Sequence, residues 1–134
     1  MEKTRRQIAR EKATIGIYQN LLVDTSIEEI ITFLEEDETL NESQESMEFS
    51  CWLVETTVKN RESYQKLIEK HLKDSWSFDR LGTFEKAILM IGTCELLESE
   101  LPRTIVINEA IINAKRFCDE DSYKFINGVL GQIA

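Results

Sequence analysis

Glycine and proline are scarce: the 134 residues include five glycines and one proline, Pro102. Gly16, Gly82, Gly92, Gly128 and Gly131 fall in neither the P-loop spacing nor the dinucleotide fingerprint, which excludes the usual Gly-rich phosphate cradles. There is one histidine, His71, so a catalytic triad or a multi-histidine metal site would have to be built around a single imidazole. His71 falls near the end of a helical pattern, where a histidine commonly serves free carbonyls; that reading is preferred over catalysis. Cys51, Cys94 and Cys118 are odd in number and form no C-x-x-C pair, which excludes a disulfide framework and a zinc site. The expectation is reduced thiols in a cytoplasmic protein that is not an enzyme and has no cofactor or metal. No apolar run approaches the 18 or so residues of a membrane span. Glu11 and Lys12 interrupt any apolar region behind the amino-terminal cations, so neither a signal peptide nor a membrane partner is expected.

Cations are also in deficit. Lys and Arg number 16 against 25 Asp and Glu, giving a formal net charge of −9 and a pI of about 4.7. A nucleic-acid-binding domain is usually basic, so the average argues against one. The distribution says more than the average. Residues 1–12 carry Lys3, Arg5, Arg6, Arg10 and Lys12 against Glu2 and Glu11, whereas residues 24–48 carry ten carboxylates and no cation. Screening over about 8 Å at physiological salt leaves the amino-terminal tip a legitimate anion-binding candidate.

What the chain has in abundance is helical period. Apolar residues recur at three- and four-residue intervals rather than alternating. Helices are predicted at about 4–22, 26–37 (opened by the Ser26-x-x-Glu29 capping pattern), 43–58, 60–73, 83–98, 104–117 and 120–133. In the 43–58 helix Phe49, Trp52, Leu53 and Thr56 are placed on one face. Residues 37–43 read as a polar connection and 74–82 as a linker. The expected fold is all-α, a seven-helix bundle of two helical halves, about 1–74 and 75–134, in a single domain. The carboxylates at 35–38 are expected to be solvated.

Two places carry candidate chemistry. With 100° per residue, Lys3, Arg6 and Arg10 fall within about 60° of one another, making a cationic stripe suited to phosphates; the alternative is a frayed, solvated terminus, or Arg10 paired with Glu11 neighbours or another helix. In the last helix, Tyr123, Ile126, Val129, Leu130 and Ile133 form the apolar face. Phe125 lies on its shoulder with Asp121 one turn before, and Lys124 faces solvent. Phe125 is either a wide-core residue or a stacking platform for an unpaired base.

These two ends resemble the family of the transcription antitermination factor NusB. Arg5-Arg6-x-x-Ala9-Arg10-Glu11-x-Ala13, followed by Ile17-Tyr18-Gln19, is similar to the family's arginine-rich opening. Ile107-Asn108-Glu109-Ala110, Ala114-Lys115-Arg116-Phe117 and the run from Glu120-Asp121-Ser122 through Phe125-Ile126-Asn127-Gly128-Val129-Leu130 are similar to its carboxyl-terminal blocks. The resemblance implies a non-catalytic, two-halved helical fold. It implies binding of boxA-type single-stranded RNA together with NusE, a small-subunit ribosomal protein, and indirect action on the RNA polymerase elongation complex. It implies RNA contacts at Lys3, Arg5, Arg6, Arg10, Lys124 and Phe125, and partner contacts at Tyr18, Glu85 and Asp121. The chain departs from the family at Gln7, Ile8 and Met90, where arginines are common. Two alternatives stand beside this reading: a helical interaction module without RNA contact, and an RNA-binding domain like those joined to ribosomal RNA cytosine methyltransferases.

Overall fold

A computed structural model describes residues 3–73 and 76–133. Among these, the chain forms eight α-helices and no strand: α1 (Arg5–Val23), α2 (Ile27–Glu35), α3 (Glu38–Asn41), α4 (Gln44–Lys59), α5 (Arg61–Lys70), α6 (Thr83–Glu98), α7 (Arg103–Phe117) and α8 (Ser122–Leu130). The sequence explains most of the boundaries. Thr4 caps α1 by accepting the Gln7 backbone N–H, and the Gln7 side chain returns to the Thr4 backbone N–H. Ser26 caps α2 through Glu29, as the capping pattern predicts. Asn60 separates α4 from α5.

α6 is the centre of the molecule. Nine consecutive residues, Ala87 through Glu95, are buried, and α1, α4, α5, α7 and α8 all pack on it. A helix covered on every side needs apolar or small residues all round, and Ala87-Ile88-Leu89-Met90-Ile91-Gly92 supplies them. Gly92 lets α8 approach closely, since a Cβ there would lie 2.8 Å from a Leu130 methyl. Met90 is 1% exposed, so this departure from the family pattern lies in the core and not on a phosphate-facing surface.

Several expectations are corrected. Residues 37–43 are not merely a connection: they hold the one-turn helix α3, capped by Asp37 Oδ1, which accepts the Leu40 N–H at 3.0 Å, with Leu40 buried. A single apolar residue shows no period, which is why the pattern misses this turn. The inward face of α4 is Ser46, Ser50, Leu53, Val54 and Thr57, with Trp52 exposed. Small polar residues are inside because they let α4 close on α1, where Ser50 Oγ donates to the Ala9 carbonyl at 2.9 Å. α8 ends at Leu130, and the turn after it is held by Arg103, whose guanidinium donates to the carbonyls of Leu130, Gly131 and Ile133.

The segment read as a linker is partly structured. Asp74 and Ser75 lie outside the described residues, but Phe78–Arg80 form a 3-10 turn whose Phe78 is buried beside Leu81. No described helix is long and apolar enough to cross a membrane.

Candidate nucleic-acid interface

The amino-terminal cations all lie on or just before α1, yet they meet different surroundings. Arg5 is exposed. Lys3 is exposed, with Nζ 2.8 Å from Glu11 Oε2. Arg6 reaches across to α4, where Nη2 donates to Glu45 Oε1 at 3.0 Å and the guanidinium sits 4.0 Å over the Phe49 ring. Arg10 departs from the expected stripe. It is 5% exposed, and its Nε and Nη2 donate to the two oxygens of buried Glu95 at 2.7 and 3.0 Å. Glu109 stands 3.8 Å from its Nη1. The helical wheel shows that Arg10 shares a face with Arg6, but not that α6 lays a carboxylate against that face.

Lys12 completes the series at 3.1 Å from Asp37. Burial pushes the Asp37 carboxyl up, but the Leu40 backbone N–H and the Lys12 ammonium outweigh it and hold the pKa below 3.8. Two carboxylates of the acidic segment, Glu45 and Asp37, therefore pair with cations of α1. Its other carboxylates at 35–38, Glu35, Glu36 and Glu38, are exposed.

The second candidate region is a cleft of about 860 Å³ beside α8. Glu85, Asp121, Lys124 and Phe125 all line it, so residues expected at the partner and residues expected at RNA share one concavity. Glu85 is fixed from both sides. Its Oε1 accepts the Gly82 N–H at 2.9 Å, closing the start of α6, and its Oε2 accepts from Ser122 Oγ at 2.8 Å at the start of α8. Tyr18 stacks on Phe84 with ring centroids 4.1 Å apart, and Phe84 on Phe117 at 4.6 Å. That aromatic series ties α1, α6 and α7 together next to Glu85. Phe125 is half-buried, packing against the core while facing the cleft. Lys124 is exposed, 3.8 Å from Asp121.

Further residues bear on the site that the sequence pattern does not single out for it. His71, the residue that closes α5, lines the cleft with Lys73 and Trp76. Trp76 had a signal: a tryptophan set between serines in a polar linker belongs to no amphipathic face. Lys115 and Arg116 belong to the Ala114–Phe117 block that resembles the family. Lys115 Nζ lies 4.7 Å over the Tyr123 ring, and Arg116 Nη1 is 3.5 Å from Glu11, so these two cations stand between α1 and α8. Burial pushes the Cys94 and Cys118 thiols up to about 11, which keeps them protonated near neutral pH and poor nucleophiles. No cluster of metal-ligating side chains occurs among the described residues.

Comparison with known proteins agrees with this architecture. The chain is 41% identical over 131 residues to the transcription antitermination protein NusB of Staphylococcus haemolyticus, covering 96% of this chain and 98% of that one. It superposes on NusB of T. maritima with a TM-score of 0.83 and 31% identity, covering 100% of this chain and 92% of that one. It superposes on the structure of the antitermination factors NusB and NusE in complex with dsRNA with a TM-score of 0.81 and 32% identity, covering 96% and 95%. The NusB family profile matches residues 7–134, and the chain belongs to the NusB family.

Proposed function

We propose that this protein is a transcription antitermination factor that binds boxA-type single-stranded RNA jointly with the small ribosomal protein NusE and acts through that complex on the RNA polymerase elongation complex. The observation that carries the reading is the shared cleft: Lys124 and Phe125 lie in the same concavity as Glu85 and Asp121. A basic ribosomal partner would complement the carboxylates, and RNA would follow the aromatic and the lysine. Lys3, Arg5 and Arg6 supply phosphate contacts from the other end. Arg10, locked to Glu95, acts by positioning the α1 tip on α6 rather than by touching phosphate. Tyr18 acts similarly, holding α1 against Phe84 beside the partner surface.

The test is retention of a boxA-type RNA with and without NusE across a salt series. Neutralising three or four phosphates gives a log K against log salt slope of about −2 to −3. Retention that is absent with NusE present, while NusE itself still binds, would replace this reading with a protein-interaction module.

A further inference from the structure

We propose that the cleft beside α8 receives one unpaired base of the RNA, stacked on Trp76, with Phe125 as its second apolar wall. The inference rests on the RNA-binding reading above and assigns a place to Trp76, Lys73 and the cleft itself. Trp76 is 52% exposed, an indole held at a concave surface instead of in the core. The volume, about 860 Å³, falls in the range of small-ligand sites, roughly 300–1,000 Å³. Aromatic faces stack on any base, and such stacking suits strands whose bases are already splayed out.

The charges choose between kinds of nucleotide. Lys73 and Lys124 line the cleft, and so do the carboxylates Glu85, Asp119, Glu120 and Asp121. A free nucleoside triphosphate would bring several negative charges against a surplus of carboxylates. A nucleotide within a strand brings one phosphate per base, which the two exposed ammonium groups can meet. The occupant is therefore a base of a polynucleotide.

The protein contains two tryptophans, Trp52 and Trp76, so Trp52→Phe leaves Trp76 as the only indole reporter. In that background, a boxA-type RNA oligonucleotide is added in the presence of NusE, and binding is followed separately by anisotropy of labelled RNA. Trp76 emission should be quenched in step with RNA binding. Trp76→Ala in the otherwise unaltered chain should weaken RNA about 5- to 150-fold without changing the salt slope, and Trp76→Phe should restore most of the affinity. Circular dichroism checks that both variants remain folded; the side chain is half exposed, so folding should persist. RNA binding with unchanged Trp76 emission and unchanged Trp76→Ala affinity overturns the cleft while leaving the RNA reading intact. A change in emission caused by NusE alone, with none added by RNA, makes the occupant a protein and also overturns it. Quenching by millimolar ATP in place of RNA would make this a free-nucleotide site. Failure of the unaltered protein to bind RNA with NusE overturns both readings.

Discussion

The cations of α1 and the cleft beside α8, the two regions proposed to meet RNA, are built in opposite ways. On α1, Arg6, Arg10 and Lys12 each meet a carboxylate from another helix or its cap, and Lys3 meets Glu11 of α1 itself. In the cleft, Lys124 also stands 3.8 Å from a carboxylate, Asp121, but Trp76 is exposed and Phe125 is half-buried at its wall. Cations on one face of a helix are therefore not equivalent. On the proposed reading a phosphate would meet exposed Arg5 directly, would have to compete with Glu45 for Arg6, and would find Arg10 already committed to Glu95. The cleft has no such competition for its aromatic faces, because stacking does not depend on displacing an ion partner.

The sharpest way to separate Arg10 from the other cations is to remove its partner. Glu95→Ala leaves a guanidinium buried with Glu109 as its remaining carboxylate neighbour, and loss of one member of a buried pair costs about 3–5 kcal/mol. Glu109 should hold the loss to about 3 kcal/mol, read as a lower urea midpoint at pH 7. Replacing both members, Arg10→Met with Glu95→Leu, should recover most of that stability. If the double variant also keeps the RNA salt slope, Arg10 serves the fold; a flattened slope would return it to the phosphate-binding set.

Phe125→Ala tests the other region. It should weaken RNA by about 1–3 kcal/mol, with the salt slope unchanged because no counterion is involved. It also removes packing against the core, so the urea midpoint must be read in parallel. A large midpoint loss with unaltered affinity in the folded fraction would make Phe125 a wide-core residue.

The wheel and the residue blocks already showed much of this arrangement. Pattern alone placed α6 and both ends of α7 to within one residue, because long apolar periods and Pro102 mark them plainly. It placed Asp121 and Phe125 on one shoulder of α8, and both line the cleft. It did not reveal that Arg10 is buried, because that depends on Glu95, 85 residues away. Nor did it reveal α3 or the serine-lined face of α4, where small polar residues are inside for closeness of approach rather than for apolarity. Trp76 carries a compositional signal only, an aromatic residue in a polar stretch whose lack of period does not say which surface it lines.

Asp37 offers a smaller effect on the α1 side. Asp37→Ala removes the α3 cap and the Lys12 pair together, for about 1 kcal/mol. Asp37→Asn keeps a capping side chain and loses only the charge. Because the folded carboxyl has its pKa lowered from 3.8, its contribution is complete above that value and fades as the pH falls through the folded value. The stability gap between the unaltered protein and Asp37→Asn should therefore be present at pH 7 and close as the pH is taken below about 4. A gap that persists at low pH would mean the charge is not what Asp37 contributes.

The smallest expected effect decides how the acidic segment acts. Glu45 and Arg6 form an exposed pair, with side chains 78% and 48% accessible, and such pairs contribute about 0.2–1 kcal/mol. Glu45→Gln should free Arg6 for phosphate and raise RNA affinity by at most about fivefold. It should also steepen the salt slope slightly, since Glu45 would no longer take up a cation when Arg6 leaves it. General repulsion from residues 24–48 would raise affinity too, so the single variant does not separate the two causes. The cycle with Arg6→Gln does. If Glu45 competes for Arg6, Glu45→Gln has no effect once Arg6 is gone. If the acidic segment only repels RNA at a distance, Glu45→Gln gives the same gain in either background, and the pairing on α1 is then incidental to binding.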